Sequence, residues 1–188
     1  HRIGLCGETV CREGALSGFG KITSLCVRVA GDFPGIASGL EKVTGSILIL
    51  GAPGWGKTTL LRDLIRQISQ KETVCAVDER NELFPPEILS GKCLDVLSGC
   101  DKRTGITMLL RTMSPVSIAV DEITEPEDVE ALLQAANCGV RLLATAHAAS
   151  ISDFRSRCIY RPLLKNRVFD VIVLLNQMNT YTVERMSA

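Results

Sequence analysis

The chain has 188 residues, 46% hydrophobic and only 4% aromatic, which excludes a disordered chain and calls for an aliphatic core such as a Val/Ile/Leu-rich parallel sheet. Lysine plus arginine equal aspartate plus glutamate at 21 each, which removes bulk attraction to nucleic acid or to an anionic membrane. Eight cysteines stand singly with no C-x-x-C pair, which argues against zinc or a disulfide framework and predicts buried, reduced thiols in a cytosolic protein.

The first residues, His1-Arg2-Ile3-Gly4-Leu5, read as the middle of a strand, as expected of a fragment lacking its preceding domain. Strands are predicted over 3–10 and 21–30, with turns at Arg12-Glu13-Gly14 and Gly18-Phe19-Gly20. The breaker-rich Gly31-Asp32-Phe33-Pro34-Gly35 marks the expected boundary. Residues 1–35 are read as the closing strands of an N-terminal domain and its linker, and 36–188 as the main domain. From Ser46 short apolar runs alternate with helical stretches, the pattern of a mainly parallel α/β sheet flanked by helices. The spacing predicts strands at Ile47–Leu50, Thr73–Val77, Ser117–Val120, Arg141–Thr145 and Phe169–Leu175. Helices are predicted from Lys57 to Gln70, over Thr104–Met113, and from a capping box at Thr124-Glu125-Pro126-Glu127 to near Gly139. No apolar run approaches the roughly 20 residues of a spanning helix.

The segment Gly51-Ala52-Pro53-Gly54-Trp55-Gly56-Lys57-Thr58 matches the Walker A pattern in full, after a strand and before a helix. Its glycines let backbone N–H groups curl around phosphates, and the helix N-terminus adds a positive dipole. Gly51 through Thr59 form the expected ATP cradle, with Lys57 on the β- and γ-phosphates and Thr58 on Mg²⁺. Trp55 is bulky for this loop, but its position offers backbone, so the side chain is expected to point away. In Ser117-Ile118-Ala119-Val120-Asp121-Glu122, Asp121 is expected to hold Mg²⁺ through water and Glu122 to polarise the attacking water. Thr145 and His147 end a further apolar strand and are expected to project into the same crevice, in a phosphate-sensing role. Val77-Asp78-Glu79-Arg80-Asn81-Glu82 repeats the arrangement of acids past a strand. There Glu79 rivals Glu122 as the water-activating base, or the segment is a surface turn of mixed charge. Arg103 and Arg111 are candidates for contacting phosphate within or across subunits.

Walker A, an acidic box, Leu110-Arg111 with Ser114-Pro115, Asp121-Glu122 and Thr145-x-His147 follow in an order that resembles the secretion ATPases of the type II and type IV systems. The closer resemblance is to the stage III sporulation protein AA family. It rests on Val77-Asp78-Glu79-Arg80, Leu109-Leu110-Arg111-Thr112-Met113-Ser114-Pro115, Ala119-Val120-Asp121-Glu122-Ile123 and Leu142-Leu143-Ala144-Thr145-Ala146-His147. The resemblance implies a RecA-like P-loop ATPase core behind an N-terminal domain, working as a homo-oligomeric ring, a hexamer being one such ring. It also implies a motor for a channel complex between mother cell and forespore, cytoplasmic on the mother-cell side and attached to membrane-anchored channel components. Under it, Asp121 and Glu122 are the Walker B acids, 78–82 the Asp box, and Thr145 with His147 the His box. Val116, Trp55 and Ala148 depart from the family pattern, and Asn81 to Lys92 is short. A nucleotide-gated structural ring with little turnover is the alternative. A nucleic-acid motor is disfavoured by the zero net charge and scarce aromatics.

Overall fold

A computed structural model describes residues 2–28, 31–84, 92–176 and 180–186. The chain divides into two compact units, His1–Asp32 and Phe33–Ala188.

The first unit is one antiparallel hairpin of β1 (Arg2–Arg12) and β2 (Ala15–Arg28). Glu13 and Gly14 both take positive φ (52° and 79°), as a tight two-residue hairpin turn requires. The second turn expected at Gly18-Phe19-Gly20 is not formed. Those residues lie inside β2, where Gly18 pairs with Val10 and Phe19 with Thr9. Irregularities in the register absorb the extra residues, and Gly7 allows them, since a Cβ there would stand 2.2 Å from the Lys21 carbonyl oxygen. The last two residues of the strand predicted over 21–30 lie outside the described residues.

The second unit is built on a seven-stranded sheet. Its strands are β3 (Ile47–Gly51), β4 (Val74–Asp78), β5 (Leu94–Ser98), β6 (Ser117–Val120), β7 (Arg141–His147), β8 (Val171–Leu175) and β9 (Tyr181–Arg185). Their spatial order is β5-β4-β6-β7-β3-β8-β9, parallel throughout except for the antiparallel edge strand β9. Both faces are covered, as parallel strands require. Ile47, Ile49, Ala76, Leu143 and Val173 face α1 (Lys57–Ile68), whose Leu60, Leu61, Leu64 and Ile65 are buried. Burying each of those four contributes about 1.5–3 kcal/mol. Leu48, Leu50, Val77, Ile118, Val120, Leu142 and Ala144 form the second core layer. They pack there with residues of α2 (Lys102–Thr112), α3 (Pro126–Asn137), α4 (Ile151–Ser156) and α5 (Arg161–Lys165).

Several details depart from expectation. The edge strands β5 and β9 carry weaker apolar patterns than the central strands and escape periodicity. The cap of α3 sits one residue later than predicted: Asp128, not Glu127, accepts from the backbone N–H groups of Thr124 and Glu125 (3.0 and 3.2 Å). The cysteines are all free, as expected, but only Cys75 is buried, and burial beside Asp95 pushes its thiol up to about 11. Six of the others are exposed because they lie on the hairpin, on surface loops and at helix ends.

Candidate functional site

Every strand of the parallel set ends at one edge of the sheet, and the residues singled out from sequence gather there. β3 ends at Gly51, the chain loops through Ala52, Pro53, Gly54, Trp55 and Gly56, and α1 begins at Lys57. Gly54 and Gly56 take positive φ (79° and 86°), and a Cβ on either would meet nothing within 4 Å. Their positive φ lets the backbone turn tightly into the N-terminus of α1, as a phosphate-binding loop requires. Trp55 is partly buried and packs on the core layer beside α1. Thr58 and Thr59 are half-buried in the first turn of α1.

The Lys57 ammonium donates to the Ala52 carbonyl oxygen (3.0 Å) and to His147 Nδ1 (2.9 Å). Because an ammonium can only donate, Nδ1 is the acceptor, and His147 carries its proton on Nε2, which donates to Glu122 Oε1. Arg80 Nη1 approaches Glu122 Oε2 at 3.2 Å. Burial lowers the Lys57 pKa below the ordinary lysine value, while the charges of Asp121 and Glu122 pull it back up. On the other side of the loop the Thr58 hydroxyl donates to Asp121 Oδ2 at 2.7 Å, and the Thr145 hydroxyl donates to Oδ1 at 2.6 Å. Burial holds the Asp121 carboxyl above its usual range, and the two hydroxyl donors oppose that rise. Lys57, Thr58, Asp121, Glu122 and His147 thus form one connected cluster, drawn from β3–α1, β6 and β7.

The acidic box at 78–82 is arranged differently. Asp78 is buried and accepts the backbone N–H groups of Glu82, Leu83 and Phe84 (2.9, 3.0 and 2.8 Å), so its carboxylate is spent on shaping the loop. Glu79 pairs with Lys102 at 2.8 Å, and Lys102 also reaches Asp128 at 3.2 Å. Burial pulls the Lys102 ammonium down, but the Glu79 hydrogen bond and the charges of Asp128 and Glu79 leave it above the usual lysine value. Glu79 and Glu122 still line the same small cleft, together with Arg80 and Lys102. Residues 85–91 of the short segment after the box lie outside the described residues.

Two arginines are not brought into the site. Arg111 is exposed at the C-terminal end of α2, which runs back toward the opposite edge of the sheet. Arg103 is exposed and stands 4.0 Å from Glu130. Sequence reasoning missed Lys102. Its signal was a lysine in the first turn of a helix, where the macrodipole disfavours a cation unless carboxylates hold it. It also missed two adjacent charged residues on α1. Arg62 is buried and donates from Nε to the Leu83 carbonyl and from Nη2 to that of Glu82. Asp63, also buried, accepts the backbone N–H groups of Gly35 and Ala37, both at 2.9 Å.

A P-loop between a central parallel strand and its helix, with acids on a strand one place beyond the adjacent one, defines a RecA-like P-loop fold. Solved structures agree on the fold. The ATPase DotB of Legionella pneumophila matches with a TM-score of 0.64 at 19% identity, over 97% of this chain and 56% of its own. The pilus retraction motor PilT with bound ADP matches with a TM-score of 0.60 at 16% identity, over 92% and 56%. The family model described as sporulation stage III, protein AA, matches residues 1–184, and the chain belongs to that family. Stage III sporulation protein AA of Bacillus subtilis (strain 168) is 39% identical over 186 residues. That match covers 90% of this chain and 61% of the relative, so the chain spans less than two thirds of the relative's length.

Proposed function

We propose that this chain is the ATP-binding and ATP-hydrolysing core of a ring-shaped motor serving a channel complex between mother cell and forespore. The observation that carries the reading is the linkage of Lys57, Thr58, Asp121, Glu122 and His147 into one hydrogen-bonded cluster at the start of α1, where the Gly54–Gly56 loop ends. The residues fit Mg²⁺: one hydroxyl and one carboxylate lie 2.7 Å apart beside a phosphate cradle, and Mg²⁺ typically takes one or two protein oxygens and completes its shell with water and phosphate. Thr58 and Asp121 would hold it, and when bound it neutralises phosphate charge. Lys57, released from His147 and the Ala52 carbonyl, contacts the terminal phosphates. Glu122 orients the attacking water, which takes the place of one of its two present partners, His147 Nε2–H on Oε1 or the exposed Arg80 on Oε2. Glu79 is the weaker candidate for that task because its partner Lys102 is buried and held in place by Asp128 as well, whereas the Arg80 beside Glu122 is exposed.

The ring and the attachment to membrane-anchored partners rest on the family and on likeness to ring-forming secretion ATPases. Arg111 is exposed near the end of α2, and we keep it as a candidate for contacting phosphate across a subunit boundary. No helix among the described residues is long and apolar enough to cross a membrane. Residues 1–35 are assigned to the close of an N-terminal domain.

Phosphate release from Mg·ATP by the full-length protein, across a wide range of protein concentration, tests the reading. We expect activity per subunit to rise with concentration and Lys57→Ala to abolish both release and the nucleotide-induced change in Trp55 fluorescence. Binding without release at every concentration would replace the motor with a nucleotide-gated scaffold.

A further inference from the structure

β7 outruns its neighbour β6. Pairing between them ends at Val120 with Ala144, and β7 continues through Thr145, Ala146 and His147. The turn that follows β6 folds onto this extension, and Thr145 holds it at three points. Its hydroxyl donates to Asp121 Oδ1 (2.6 Å) and accepts the Glu122 backbone N–H (2.8 Å), while its carbonyl accepts the Ile123 N–H (2.9 Å). The Thr145 side chain is fully buried. Its single hydroxyl oxygen is engaged as donor and acceptor at once, both times by the turn that carries the acids. Glu122, in the middle of that turn, has φ of 56°, a left-handed conformation that a non-glycine residue keeps only where its surroundings enforce it.

We propose that Thr145 is a positioning residue for hydrolysis: its hydroxyl holds the Asp121 carboxylate toward Thr58 and pins Glu122 in a left-handed backbone aimed at His147. This rests on the ATPase reading and changes one expectation, since a buried hydroxyl spent on Asp121 and Glu122 is not free to sense phosphate. His147 reaches Lys57 from the same strand face and remains the residue exposed to that task. Residues two apart on β7 share a face, and the division of labour follows from burial along it, Thr145 being fully buried and His147 partly exposed.

The test compares Thr145→Val, which keeps the shape and removes the hydroxyl, with Thr145→Ser, which keeps the hydroxyl, in the full-length protein. The first readout needs no nucleotide: hydrogen exchange of the Glu122 and Ile123 amides. The valine variant is expected to lose protection at Glu122 and the serine variant to keep it. The second is ATP turnover. Here Thr145→Val is expected to lower kcat about 100-fold, the effect of a catalytic group displaced by about 1 Å, while KM stays near wild type. Thr145→Ser restores most of kcat. If Thr145→Val fails to fold, Thr145→Cys, of similar size and a weaker donor, takes its place with the same two readouts. Wild-type kcat and wild-type protection at Glu122 in the hydroxyl-free variant would overturn the proposal while leaving the ATPase reading intact. If the wild-type protein releases no phosphate, the ATPase reading fails instead, and unchanged exchange at Glu122 would still overturn the positioning role.

Discussion

Two corners of this sheet begin alike and end differently. β4 and β6 are neighbouring apolar strands, and each closes on an Asp-Glu pair: Asp78-Glu79 and Asp121-Glu122. At the first corner Asp78 accepts three backbone N–H groups and Glu79 is held by the Lys102 ammonium. At the second, Asp121 takes hydroxyls from Thr58 and Thr145, and Glu122 faces His147 beside the P-loop lysine. An acidic pair after a strand therefore has no fixed meaning. What decides its role is whether the neighbours that consume its lone pairs belong to the scaffold or to groups that a ligand can displace.

Substitutions can break this contrast. Glu122→Gln is expected to retain nucleotide binding and lose turnover by about 1000-fold, within the range that removal of a general base produces. Glu79→Gln is expected to keep most of the turnover. Phosphate release from the two variants checks both, and the opposite ranking would move the base to the first corner. Next in size, Asp78→Ala leaves the buried amides of Leu83 and Phe84 without their acceptor and is expected to lower stability by about 3 kcal/mol, read as a shift in the urea midpoint. Asp121→Ala, by contrast, should change stability little, since a site carboxylate raised by burial is a burden on the fold rather than a support. Smaller again, Lys102→Met is expected to cost about 2 kcal/mol by stranding buried Asp128, the half-exposed Glu79 being rehydrated. A Lys102→Met protein as stable as wild type would show that the ammonium is ornamental.

The strand–loop–helix at 47–68 was fully legible, because its chemistry is local: glycines at fixed offsets, a lysine and a threonine opening an amphipathic helix. Asp121, Glu122 and His147 were legible as ends of apolar strands. Their partnership was not, since it depends on a strand order that places β7 between β6 and β3. Glu79 remained a rival on sequence because the lysine that holds it lies 23 residues away. β5 and β9 were missed because edge strands need only one buried face, or none, so their patterns are diluted. The short helices α4 and α5 fall below the length at which a helical period can be read.

The span of the site's own bonds has a consequence for how the protein folds. The Thr58–Asp121 bond closes 63 residues and the Lys57–His147 bond closes 90. Neither can form before β3, β6 and β7 have assembled in register, and pairings this distant in sequence are slow to find. The assembled cluster is accordingly a mark of the completed central sheet rather than of the P-loop alone, and under the proposed ATPase reading nucleotide binding would report that completion. Under the same reading, nucleotide is expected by mass action to stabilise the finished sheet, checked as a melting temperature that rises with nucleotide concentration.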